Sequence, residues 1–326
     1  MANHVIVAVG GTGQIVLHYY SLLYLAGKVS PFRALVIDTD ELYRSISAIS
    51  EFLKLAQYGS NEGVASIQFN RIQSEATGSA SENLSGKELS ELQGFHPVKG
   101  IFDNGTLTQE VKEGMYARPA LSAVLDVNSS ELVKGLSIDE DTHIAVVGSV
   151  IGGTGGGLIA PVIAALDELT RTIENVTIRC VFFGDYFHPD TKMMPDANLL
   201  FPSNKILVLK ALEELAPESL RMFAFIEPEV KIQRNPKLEK AGDHLEWPKE
   251  SEPYYTGAQA LDFVLEDAQR QAKPAFLDRE IRHCEQLFKD KRVIPYKECK
   301  QSLDKRILVT QQLVNQNVTQ RLAHEP

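Results

Sequence analysis

Val150-Ile151-Gly152-Gly153-Thr154-Gly155-Gly156-Gly157 is the stretch of this chain that says most about its fold. It follows an apolar run, Ile144 to Val150, that reads as a buried strand, and it precedes Leu158 to Thr170, whose apolar residues suit a helix. Five of the six residues from Gly152 to Gly157 are glycine, although each glycine costs a helix about 1 kcal/mol relative to alanine. Packing alone explains such a run poorly. Close approach of backbone N–H groups to a polyanion explains it well, because glycine leaves no side chain in the way and a helix N-terminus carries partial positive charge. Thr154 adds a hydroxyl.

The beginning of the chain repeats the arrangement. His4 to Val9 reads as a strand, Gly10-Gly11-Thr12-Gly13-Gln14 as a glycine turn, and Ile15 to Ala26 as a helix with Leu17, Tyr20, Leu23 and Tyr24 at helical spacing. A second strand, Ala34 to Ile37, ends in Asp38-Thr39-Asp40 and leads into a helix over 41–57, completing a βαβ unit and one further helix. Beyond the second glycine run, a strand over 176–184 ends at Asp185. A helix over 204–215 then places Ile206, Leu209, Leu212 and Leu215 at three-residue spacing, as its expected buried face, before a strand over 220–226. Alternating strands and helices predict an α/β protein, a parallel sheet flanked by helices.

Residues 58–105 are rich in Ser, Asn and Gly and read as an insertion with one strand-like patch at 66–72. The expected organisation is a nucleotide-binding domain over 1–226, a proline-bearing linker over 227–256 and a reduced helical C-terminal region over 257–326. That last region is expected to hold helices at 257–272, 277–290 and 301–322.

With 44% hydrophobic and 23% charged residues, the 326-residue chain has the composition of an ordinary globular protein. No segment approaches the roughly 18 consecutive apolar residues of a membrane span, and the N-terminus leads into a strand without a secretory signal. No membrane is expected. Cys180, Cys284 and Cys299 are scattered and odd in number, which fits a reducing cytoplasm and neither a disulfide framework nor a zinc site. A net charge of −10 argues against nucleic acid. Residues 273–326 nevertheless carry 11 Lys and Arg against 7 Asp and Glu. This basic helical end would suit a protein partner or contacts between copies.

Neither glycine run is G-x-x-x-x-G-K-[ST], and neither contains lysine, so a Walker-type NTPase is disfavoured. The dinucleotide pattern G-x-G-x-x-G fits the first run through Gly11 and Gly13 but has Val16 at the third position. In that oxidoreductase reading Asp38 would take a ribose hydroxyl, and the second run would have no task.

The two glycine runs resemble those of the tubulin and FtsZ superfamily, in its bacterial, plasmid or phage forms. Gly152 to Gly157 looks like that family's glycine signature at the end of a central strand, and Gly10 to Gln14 like its first phosphate loop. Asp38-Thr39-Asp40 resembles the acidic turn after the second strand. Gly114 to Pro119, with Arg118, is similar to the γ-phosphate-sensing loop, although Met115-Tyr116-Ala117 stand where the family tends to have glycines.

The resemblance covers residues 1–226 and implies GTP or GDP with magnesium as ligand. It makes Asn198 or Asn204 the reader of guanine and ribose, puts Asp185 near the sugar, and implies head-to-tail self-association into filaments. It also implies hydrolysis completed by an N-x-D-x-x-D loop from the next subunit, a motif this chain lacks. A nucleotide-gated adaptor that does not polymerise therefore stands beside the filament reading. Gly155→Val is expected to abolish nucleotide binding in a folded protein.

Overall fold

The structure is a computed structural model that describes residues 3–39, 44–57, 65–71, 132–188, 197–215, 220–228, 231–233, 252–266 and 292–294. In chain order the elements are β1 (Asn3–Val9), α1 (Gly10–Leu25), β2 (Phe32–Asp38), α2 (Arg44–Gln57), β3 (Ser66–Arg71), β4 (Thr142–Ser149) and α3 (Gly153–Thr170). They continue with β5 (Thr177–Phe183), β6 (Phe187–His188), α4 (Ala197–Leu215), β7 (Leu220–Ile226), β8 (Ile232–Gln233), α5 (Glu252–Glu266) and β9 (Arg292–Ile294).

Strand sequences such as NHVIVAV and TIRCVFF bury nearly every residue, which suits a parallel sheet covered on both faces. Seven strands pair in the order β3-β2-β1-β4-β5-β7-β9, every pairing parallel. A second small sheet joins β6 to β8. From β1 the chain steps through α1 to β2, whereas from β4 it steps the opposite way through α3 to β5. Right-handed crossovers then place α1 and α3 on opposite faces. α1 packs against α2 and α5, and α3 packs against α4. This is the expected α/β architecture.

α1 is buried almost all round, with Val16, Leu17, Tyr19, Tyr20, Leu22 and Leu23 at 1% exposure or less. A helix apolar on every side belongs inside a protein, and here the sheet, α2 and α5 enclose it. α5 buries every residue from Pro253 to Leu261. Gly257 lets it approach, since a Cβ there would run into the ring of Phe183 and come within 3.2 Å of Val16 Cγ2. At the other end of β5, the guanidinium of Arg179 donates to the carbonyls of Val264 and Leu265 and satisfies the C-terminal end of α5.

Several expected boundaries move. α1 and α3 begin at the glycines themselves and not at Ile15 and Leu158. The glycine runs are therefore first turns of helices. Residues 66–71, read as a patch within an insertion, form the edge strand beside β2. In the stretch read as a linker, α5 starts at Glu252, five residues before the expected helix. Residues 292–294, between two of the expected helices, extend the main sheet beside β7. With α5 lying against β4, β5 and β7, these segments complete the same layered body as the strands before them.

The buried face of α4 also differs from the expected one. It is formed by Phe201, Asn204, Val208, Leu209 and Leu212, whereas Ile206 and Leu215 are 46% and 43% exposed. A three-residue step falls about 60° short of a full turn, so after three steps the row has crossed to the other side of the helix. The helices expected at 277–290 and 301–322 lie outside the described residues. No described helix is long and apolar enough to cross a membrane.

Candidate functional site

In open parallel sheets, ligands bind outside the carboxyl ends of the strands where the strand order reverses. Here that point lies between β1 and β4, and both glycine runs emerge from it, Gly10 to Gln14 after β1 and Gly152 to Gly157 after β4. Gly10 has φ +70°, a backbone conformation that side-chain-bearing residues rarely adopt, and a Cβ on it would stand 3.1 Å from the Gly155 nitrogen. The N-terminal ends of α1 and α3 thus meet in van der Waals contact. Their first-turn N–H groups lack intrahelical acceptors by the geometry of a helix start. Two positive dipole ends therefore converge on one spot.

The glycines divide by task. A Cβ on Gly13 would lie 2.7 Å from the Val147 carbonyl oxygen, and one on Gly155 would lie 2.5 Å from that of Ser149. Both are required by the packing of helix start on strand. Gly155→Val therefore disrupts the backbone as well as any ligand site, which corrects the expectation of a folded but non-binding variant. Gly11, Thr12, Gly152 and Gly156 are only half-buried. A Cβ on Gly152 would have no atom nearer than 3.6 Å.

A buried network fixes both runs to the end of β2. Asp38 is 2% exposed, and its carboxylate accepts from Gln14 Nε2 at 2.6 Å and from the Thr39 backbone N–H at 2.8 Å. Thr39 Oγ1 in turn lies 2.8 Å from Thr154 Oγ1. Gln14, Asp38, Thr39 and Thr154 therefore tie the two runs together through the end of β2. Both Asp38 oxygens are thus engaged inside the protein.

On the other flank, Asn204 is 3% exposed and donates to the Ile151 carbonyl at 3.0 Å, tying α4 to the second run. Ser149 Oγ donates to the Phe183 carbonyl at 3.2 Å and accepts from the Ile151 N–H at 3.4 Å. Asp185 stands at the end of β5, paired with Lys231. Its N–H donates to Glu227, which also pairs with Lys205 at 2.6 Å. Gly184 leaves room for that carboxylate, since a Cβ there would collide with Glu227.

The pattern of glycines and acids pointed to neither Lys205, Glu227 and Lys231 nor Tyr186. Tyr186 directly follows Asp185, and its hydroxyl lies 2.9 Å from Thr12 Oγ1. No local sequence pattern marks it, since its partner stands 174 residues away. Asp40, Gly114 and Arg118 lie outside the described residues, as does the side chain of Asn198, whose backbone opens α4. Among the described residues no group of three or more His, Cys, Asp or Glu gathers to hold a metal.

No protein-family model and no curated protein matches the chain. Solved structures of the tubulin and FtsZ superfamily do match. One is CetZ2 from Haloferax volcanii as a GTPgS-bound protofilament, at 13% identity over 85% of this chain and 61% of that one, with a TM-score of 0.41. Another is an empty FtsZ dimer from M. jannaschii, at 13% identity over 85% and 58%, with a TM-score of 0.39. A third is TubZ of Bacillus thuringiensis serovar israelensis as a GTPyS-form protofilament, at 11% identity over 84% and 58%, with a TM-score of 0.37. This chain spans 58–61% of the length of those three.

Proposed function

We propose that this chain binds a nucleoside triphosphate, GTP with magnesium, at the carboxyl edge of its sheet and assembles head to tail with the nucleotide at the contact between copies. The observation that carries the binding is the meeting of two glycine-built helix N-termini at Gly10 and Gly155, at the point where strand order reverses. Half-exposed Gly11, Thr12 and Gly152 are the positions at which phosphate oxygens would come closest to the backbone. Gln14, Asp38, Thr39, Thr154 and Asn204 hold the two runs in register. The resemblance assigns Asp185 to the sugar side.

The choice of guanine, and the assembly, come from the resemblance of the glycine runs to the tubulin and FtsZ superfamily. Magnesium comes with the phosphates in this reading, since it keeps several waters and needs few protein ligands. The missing N-x-D-x-x-D motif favours slow or partner-dependent hydrolysis, and it keeps the adaptor as the second reading. Titration calorimetry of the full chain with GTP, ATP and NAD, with light scattering followed in the same samples, separates the possibilities. Selective GTP binding with rising scattering is expected. GTP binding without scattering favours the adaptor, and binding of NAD alone overturns the proposal.

A further inference from the structure

We infer that Tyr186 is a positioning residue for the phosphate site, acting through the hydroxyl of Thr12; this rests on the binding reading above. β1 and β5 are not neighbours in the sheet, for β4 lies between them. The contact of Thr12, after β1, with Tyr186, after β5, therefore reaches across the end of β4, from which the second glycine run emerges. It ties the start of the first run to the strand end beyond the second.

Tyr186 is held firmly enough to set the direction of this bond. Its ring is 5% exposed and stands edge-on to Phe183, Phe187 and Tyr254, with centroids 5.2, 4.9 and 5.7 Å away. Its backbone N–H donates to the Gly184 carbonyl at 3.1 Å. Thr12, by contrast, is half-exposed in the first turn of α1.

Each hydroxyl has one hydrogen to donate, and either can serve as donor in the bond between them. A phosphate oxygen beside Thr12 can only accept. The Thr12 hydrogen then goes to the phosphate, and the Tyr186 hydrogen goes to Thr12 Oγ1. The result is a chain from Tyr186 O–H to Thr12 O–H to phosphate, in which each bond polarises the next. Tyr186 touches no phosphate itself. It fixes the rotamer of Thr12 and strengthens it as a donor.

The test is a double-mutant cycle on the full chain, titrated with GTP and separately with inorganic tripolyphosphate. Tyr186→Phe keeps the packed ring and removes only the hydroxyl; thermal melting checks that the fold is retained. Its affinity for both probes is expected to fall about 3- to 10-fold, the worth of one well-placed hydrogen bond. Thr12→Val is expected to lose at least as much, and the double variant no more than Thr12→Val alone. Thr12→Ser, which keeps a hydroxyl, is expected to stay sensitive to Tyr186→Phe. Binding by Tyr186→Phe equal to the parent, or losses that multiply in the double variant, would overturn the inference while leaving the binding site standing. A parent chain that binds neither probe would sink the site and this inference together.

Discussion

Gly152 and Gly155 lie one helical turn apart in the second glycine run, yet the surrounding atoms ask different things of them. A methyl group on Gly155 would press on the backbone oxygen of Ser149, whereas one on Gly152 would make only ordinary van der Waals contact with Ser149. Gly155→Ala is therefore expected to destabilise the fold by about 2 kcal/mol, the usual scale for forcing an extra carbon into a packed site. Gly152 has φ −74° and ψ 169°, which valine adopts readily. Gly152→Val should leave thermal stability within about 0.5 kcal/mol of the parent and weaken GTP binding at least about tenfold. Melting curves and titrations on the two variants check both halves. The opposite pattern, with a stable Gly155→Ala and an unstable Gly152→Val, would reassign the tasks of the run.

At the scale of elements, the strands and the glycine runs were legible because they follow from local chemistry. Alternating apolar runs and clustered glycines need no knowledge of the rest of the chain. Helix starts were less legible, since glycine disfavours helix and only tertiary contact shows that Gly10 and Gly153 already begin one. The buried side of α4 was misread because a three-residue spacing imitates a stripe over two turns and then drifts. Tyr186 and Arg179 were invisible as functional or structural ties, because their partners, Thr12 and Val264, stand 174 and 85 residues away. Arg179 carries a consequence of its own. Arg179→Met would remove a charged donor from the end of α5 and leave buried carbonyls unmet, at a cost of about 3 kcal/mol. Amide exchange is expected to speed up in residues 252–266 more than in β1 or β4. A uniform increase over the whole sheet would mean that the tie does not act on α5.

For the whole molecule, burial of α1 and the sheet sets a dependence on pH. His18 is buried and its ring is pushed down to about 4 by loss of solvation, while burial also lowers His4. The His18 side chain stays neutral in the fold down to about pH 4 but takes up a proton when unfolded below pH 6.5, the ordinary value for histidine. Stability is then fully present above about pH 6.5 and is lost as pH falls, because the unfolded chain binds more protons. For His18 the loss between about pH 6.5 and 5 is about 2 kcal/mol. Urea denaturation across that range should show the decline in the parent and a flatter profile in His18→Phe. Equal profiles would mean that this ring does not govern the acid response.

The same layered body places the two glycine runs together, and their convergence at Gly10 and Gly155 is what would make them one phosphate site. Its most direct test is hydrogen–deuterium exchange of the full chain with and without GTP and magnesium, read at peptides covering residues 10–14 and 152–157. Slowed exchange in both runs at the same nucleotide concentration is expected, because one set of phosphates engages both helix N-termini. Protection of one run alone, or of neither while GTP is bound elsewhere, would contradict it.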